Sequence, residues 1–264
     1  MTRIFRVALD RAKLEKLPEA DRTALILLGH AANEINVLRK VTLASIAKDI
    51  PPNLIVDHVQ SEQVLILLRV LMGKVFEANR MLGKRVMPLR AKYLQHFSEE
   101  QKTRLERMQK LFGSDGRLAA IRNQVAFHYT DDDNNVEATW RKLADADPWD
   151  LYLSKLSINS FYYLPALVMT RVMTALGLGG KVCDPQEEEL LGFKEVCSVA
   201  TESADLMLAV LNDFIAVIVT EGIPDAEGVE IDIGESDKLS ALKLPFFWDE
   251  DDYVADAPAE SRTD

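Results

Sequence analysis

Apolar positions along the chain recur at helical spacing. Leu28, Ala31, Ile35, Leu38 and Thr42 fall on one stripe of a helix that starts at Pro18 and runs to about Lys48. Pro51-Pro52 ends it. A second helix is predicted from about Asp57 to Gly83, with Val64, Leu65, Leu68, Leu71, Met72, Val75 and Phe76 facing inward. Ser98 and Gln101 have the spacing of a capping box, which starts a third helix ending at Gly113. A fourth is expected from about Gly116 to His128, stopped by Asp131-Asp132-Asp133, and Val136 to Ala146 reads as a short helix or helical turn. Ile158 to Leu176 is apolar and helical, and Gly177, Gly179 and Gly180 stop it. Asp184-Pro185-Gln186-Glu187 is a helix start, with a capping Asp, Pro at the first helical position and acids in the first turn; that helix is predicted to run to about Thr220.

No stretch alternates with period two, so no strand is expected. The fold predicted is all-α, a helical bundle over residues 1–222. Residues 223–264 lose the periodicity, fill with Gly, Pro and acids, and read as an acidic, largely irregular and flexible tail carrying one apolar patch, Leu244-Pro245-Phe246-Phe247-Trp248. The patch is expected to pack on the body.

Charge sharpens this division. The formal net charge is −11, and the same −11 is reached by residues 221–264 alone, leaving the body neutral. A neutral body permits a local basic cleft without announcing nucleic-acid binding. Two cysteines, Cys183 and Cys197, form no paired motif and read as reduced intracellular thiols. No run of 18 apolar residues occurs, because Asn212-Asp213 interrupts Leu206–Val219, and Pro165 and Arg171 interrupt Phe161–Leu178. A cytoplasmic protein without a membrane partner is expected.

One segment uses its apolar face in an unusual way. On a helix, Leu118, Ala119, Ile121, Val125 and Ala126 form a continuous stripe, and Arg122 stands in its middle. A buried guanidinium needs a partner or an aqueous cleft. His128 lies at the edge of the same stripe. An imidazole can move a proton near neutral pH, and an arginine fork can hold phosphate oxygens. Together they suit metal-independent RNA cleavage, in which the 2′-OH attacks the adjacent phosphorus and positive charge stabilises the phosphorane. Arg122 and His128 are about 120° apart on the wheel. Either the arginine reaches around, or the helix distorts, or a second subunit completes the cleft. The structural alternative is an ion-paired Arg122 and a His128 that caps the helix.

Arg122, followed by the polar Asn123, with His128 further on, resembles the HEPN domains, and the likeness extends loosely over the helical body to about Ile223. The resemblance implies a HEPN-like helical bundle and a metal-independent endoribonuclease acting as a homodimer, in a toxin–antitoxin, phage-defence or RNA-processing setting. It assigns catalysis to Arg122, Asn123 and His128, an RNA substrate, and an antitoxin or regulatory protein as a further partner. Members without activity serve as scaffolds, so a non-catalytic helical interaction protein or a toxin–antitoxin partner module is the alternative. Tyr129 and Glu34 are auxiliary candidates: the first follows the His directly, and the second lies on the edge of the apolar stripe of the first long helix, one turn from His30, where it could reach a cleft and pair with Arg122. The alternatives are a packed or surface aromatic and a solvated edge carboxylate. Four scattered histidines without HxxxH spacing, and the lack of a Walker loop or GxGxxG, lead us to expect no metal and no cofactor.

Overall fold

The structure is a computed structural model that describes residues 3–46, 53–114, 138–141, 143, 150–155, 159–178, 188–223, 226, 228–232 and 244–247. In chain order its elements are β1 (Arg3–Val7), α1 (Arg11–Glu15), α2 (Glu19–Ser45) and α3 (Leu54–Met81). A π-helical turn (Leu82–Val86), a 3-10 turn (Met87–Leu89), α4 (Arg90–Tyr93) and a second 3-10 turn (Leu94–His96) lead to α5 (Glu99–Ser114). Beyond these come β2 (Leu151–Tyr152), β3 (Phe161–Tyr162), α6 (Tyr163–Leu178), α7 (Glu188–Gly222) and β4 (Gly228–Asp232). The all-α bundle expected from the apolar spacing is the architecture found.

Local signals set the helix ends. Pro18 stands immediately ahead of α2, whose first turn carries Glu19 and Asp21. Asn53 caps α3 through its side chain, which accepts the Val56 N–H at 3.0 Å. At α5 the capping box closes from both sides: Gln101 Oε1 accepts the Ser98 N–H at 2.8 Å, and Ser98 Oγ accepts the Gln101 N–H at 3.3 Å.

The core collects on α7. Met207, Leu211, Phe214 and Ile218 are buried against Leu28 and Ile35 of α2, Leu71 and Val75 of α3, and Leu105 and Met108 of α5. A second cluster joins Val64, Leu65 and Leu68 of α3 to Val172 and Met173 of α6 and Val196 and Ala200 of α7. Leu190–Gly222 has the length and apolar composition of a membrane span, and 56% of that window is buried inside the bundle. Asn212-Asp213 does not interrupt the helix. Asp213 instead turns toward α5, where Arg104 donates to it through Nε at 3.0 Å and Nη2 at 2.9 Å, and Gln101 through Nε2 at 3.0 Å. A second buried carboxylate, Asp21 of α2, accepts from the Tyr93 hydroxyl at 2.6 Å and pairs with Lys92, tying α4 to the bundle. Burial, with help from Asp21, pushes the Tyr93 phenol up to about 12.

Three expectations need correction. Strands are present, although no sheet exceeds two strands among the described residues. β1 pairs antiparallel with β4, Ile4 opposite Ile231 and Arg6 opposite Val229; β2 pairs with β3. Pairing between segments so distant in sequence leaves little trace in a local periodicity. Second, residues 228–232, inside the stretch expected to be largely irregular, belong to that ribbon. Of that stretch's apolar patch, the Phe246 ring meets Phe161 edge-on at 6.0 Å, in a cluster with Val59 and Tyr163, while Leu244 and Phe247 are exposed and Trp248 lies outside the described residues. Third, α6 begins at Tyr163 and not near Ile158, because Phe161 and Tyr162 are committed to β3. Pro165 then falls in the first turn, where its missing N–H costs no hydrogen bond.

Candidate functional site

Arg122, Asn123, His128 and Tyr129 lie outside the described residues, as does the helix expected over Gly116–His128. Of the predicted short helix over Val136–Ala146, residues 138–141 and 143 are described, and 138–140 are helical. Glu34 is described. Its Oε1 accepts from Lys74 Nζ of α3 at 2.6 Å, and His30 Nε2 stands 3.6 Å from its other oxygen. Among the described residues Glu34 therefore works as an α2–α3 crosslink at the edge of the bundle, with its side chain one-third exposed.

The described chemistry gathers on the N-terminal half of α3. His58, Glu62 and Arg69 share the face turned to α6, being four and seven residues apart. Opposite them stand Tyr163 and Thr170, also seven apart. The His58 ring stacks on Tyr163 with centroids 4.3 Å apart, and its Nε2 lies 3.3 Å from the tyrosine hydroxyl. Thr170 donates its hydroxyl to Glu62 Oε2 at 3.2 Å, and Arg69 Nη2 approaches Oε1 at 3.5 Å. Both long side chains are mostly shielded, Glu62 at 13% exposure and Arg69 at 17%. Burial pushes the Glu62 carboxyl up to about 7, and neither Arg69 nor the Thr170 hydrogen bond offsets it. A carboxyl in that range can hold or release a proton at neutral pH, which makes it the strongest described candidate for proton traffic.

The neighbouring face of the same helix, Asp57, Gln60, Ser61 and Val64, lines a pocket of about 370 Å³ closed by Ile46 of the α2 end and by Phe193, Lys194 and Cys197 of α7. Gln60 Oε1 is buried without a hydrogen-bond partner among the described residues. Burial pushes the Cys197 thiol up to about 11, which keeps it protonated and a poor nucleophile at neutral pH. Among the described residues no group of three or more His, Cys, Asp and Glu side chains is placed to hold a metal ion.

Sequence reasoning missed Glu62 and Arg69. Their signal was available: a carboxylate and a guanidinium seven residues apart, beside Val59 and Leu65 on a predominantly apolar helix. Comparison with family models, with curated proteins and with solved structures returns no match.

Proposed function

We propose that the chain is a metal-independent endoribonuclease of HEPN type that acts in the cytoplasm as a homodimer. One observation carries the reading: Arg122, Asn123 and His128 are set in a segment of helical spacing whose apolar stripe contains the arginine, in a chain that folds as an all-α bundle. His128 serves as the acid–base group and moves the 2′-OH or leaving-group proton. Arg122 forks onto the phosphate oxygens and stabilises the phosphorane, and Asn123 orients one of the two. The paired subunits supply two copies of each residue to one cleft. An antitoxin or regulatory protein is the second partner under this reading.

The test is cleavage of single-stranded RNA by the full chain. His128→Ala and Arg122→Ala are each expected to lower the rate by about a hundredfold or more, with the fold and the dimer retained. Arg122→Lys restores little, because an ammonium keeps the charge and loses the fork. The product ends in a 2′,3′-cyclic phosphate, chelators leave the rate unchanged, and DNA, which lacks the 2′-OH, is inert. Wild-type protein that leaves diverse RNAs intact, with and without residues 223–264, makes the chain a helical scaffold instead.

A further inference from the structure

The body of the chain is neutral as a whole, but its charge is unevenly spread. Between Glu77 and Glu99 there is no acidic residue, while Arg80, Lys84, Arg85, Arg90 and Lys92 fall in that interval. The structure turns part of this imbalance into a surface. Leu82 and Val86, at the two ends of the π-helical turn, are buried at 1% and 0% exposure and peg it to the core. The residues between the pegs, Gly83, Lys84 and Arg85, are all exposed, and a side chain at Gly83 would meet no atom within 4 Å. Arg80, one helical turn earlier, is exposed and pairs with its exposed neighbour Glu77 at 3.8 Å. Among the described residues neither Lys84 nor Arg85 has an ion-pair partner.

Met87 follows the turn and packs on α5, its Sδ 4.0 Å from Gln109 Nε2. α5 ends at Ser114, eight positions before Arg122 in the sequence.

We infer that the strip formed by Arg80, Lys84 and Arg85 holds the phosphates of single-stranded RNA; the inference rests on the ribonuclease reading for its choice of nucleic acid. The surrounding chemistry narrows the occupant. No large apolar side chain is exposed among the described residues of 78–98, so the strip has nothing to insert into a bilayer. Tyr93 and Phe97 are buried as well, so no aromatic platform is available for bases to stack on. What remains is contact with the backbone: Lys84 as a point charge, Arg80 and Arg85 as forks on phosphate oxygens. Such contact tracks RNA without reading its sequence, and it weakens steeply with salt. Single-stranded DNA of equal length binds the strip equally well, although the proposed chemistry cannot cut it.

The experiment measures binding of a fluorescein-labelled 20-nucleotide oligouridine to the full-length His128→Ala protein over a series of salt concentrations. The double substitution Lys84→Glu and Arg85→Glu is expected to weaken binding at least tenfold near 0.1 M salt. Neutralising the pair with Lys84→Gln and Arg85→Gln is expected to reduce the slope of log Kd against log salt by about 1.4, since each phosphate contact on a single strand contributes about 0.7. The exchange Lys84→Arg with Arg85→Lys keeps affinity within about twofold. A thermal midpoint that drops in both double variants while the salt slope stays put would overturn the inference, because the cations would then serve the end of α3 through its dipole. Loss of binding to phosphatidylserine vesicles with RNA affinity intact overturns it too. Cleavage is scored separately with His128 in place. RNA held through the strip but never cut removes the ribonuclease reading and leaves the strip standing. RNA cut normally, with unchanged Kd and slope in Lys84→Glu/Arg85→Glu, does the reverse.

Discussion

Two carboxylates lie at helix seams of this bundle, and they are treated in opposite ways. Asp213 sits between α5 and α7 and receives three donors at 2.9–3.0 Å, two of them from one guanidinium fork. Glu62 sits between α3 and α6 and has one hydroxyl at 3.2 Å and a guanidinium no nearer than 3.5 Å. At the first seam the partners match the charge, and the Arg104 guanidinium is pushed up chiefly by its hydrogen bonds with Asp213. At the second, burial outweighs the partners and the Glu62 carboxyl titrates at about 7. Exposure does not separate the two, at 11% for Asp213 and 13% for Glu62. What separates them is donor number and geometry. A fully served buried charge fixes a structure; a poorly served one makes the structure depend on pH.

The largest effect is expected from unpairing the well-served seam. Arg104→Ala leaves Asp213 buried with Gln101 as its remaining donor and should cost about 3 kcal/mol in urea unfolding. A loss below 1 kcal/mol would place this pair with ordinary surface bridges. Asp213→Ala should cost less, because the freed guanidinium is 29% exposed and keeps Glu100 as a partner.

The second effect is a pH dependence with a definite sign. The Glu62 carboxyl is raised in the folded state from 4.5 to about 7. The stability associated with its protonated form is therefore complete below about 4.5 and is lost as pH rises through about 7. Between pH 5 and pH 8 the wild type should lose about 2–3 kcal/mol that Glu62→Gln does not lose. Unfolding curves at the two pH values give the difference directly, and parallel behaviour of the two proteins would return Glu62 to the class of Asp213.

The smallest effect isolates one hydrogen bond. Thr170→Val removes the hydroxyl that favours the ionised form of Glu62, so the carboxyl should titrate higher still, by about 0.5–1 unit for a bond of ordinary strength. Carbon-detected NMR titration of the carboxyl resolves such a step. A downward move would mean that burial is not the dominant cause.

The same contrast shows what a linear sequence carries. Helix ends were legible because their signals are local: Pro18 ahead of α2 and Ser98 with Gln101 at α5 fold as their spacing says. The stripe of α3 was legible because burial follows a period of 3.6, and Val64, Leu65, Leu68, Leu71, Met72 and Val75 are all buried. Asn212-Asp213 interrupts an apolar run without ending the helix, as its predicted extent to about Thr220 required, but what meets the Asp213 charge was not legible, because its partner Arg104 lies 109 residues away. Glu62 was overlooked for the same reason: its environment depends on Thr170, which lies 108 residues further on. The β1–β4 ribbon depends on a pairing more distant again. Of the candidate site, Arg122, Asn123 and His128 lie outside the described residues, and Glu34 is found in an ion pair with Lys74, a partner 40 residues away that local spacing did not single out.

The ribbon also determines how the ends of the bundle are arranged in space. Val7 is in register with Gly228, so the pairing closes a loop that contains every helix described. Closure of so long a loop sounds costly, yet the entropy grows only by about 0.6 kcal/mol for each doubling of length. Leu17, beside α1, packs against Gly222 at the end of α7, so the bundle itself holds the two roots of the ribbon together. Anything fused ahead of Arg3 is thereby carried alongside whatever follows Asp232, and a fluorophore on each side would report one shared address on the molecule.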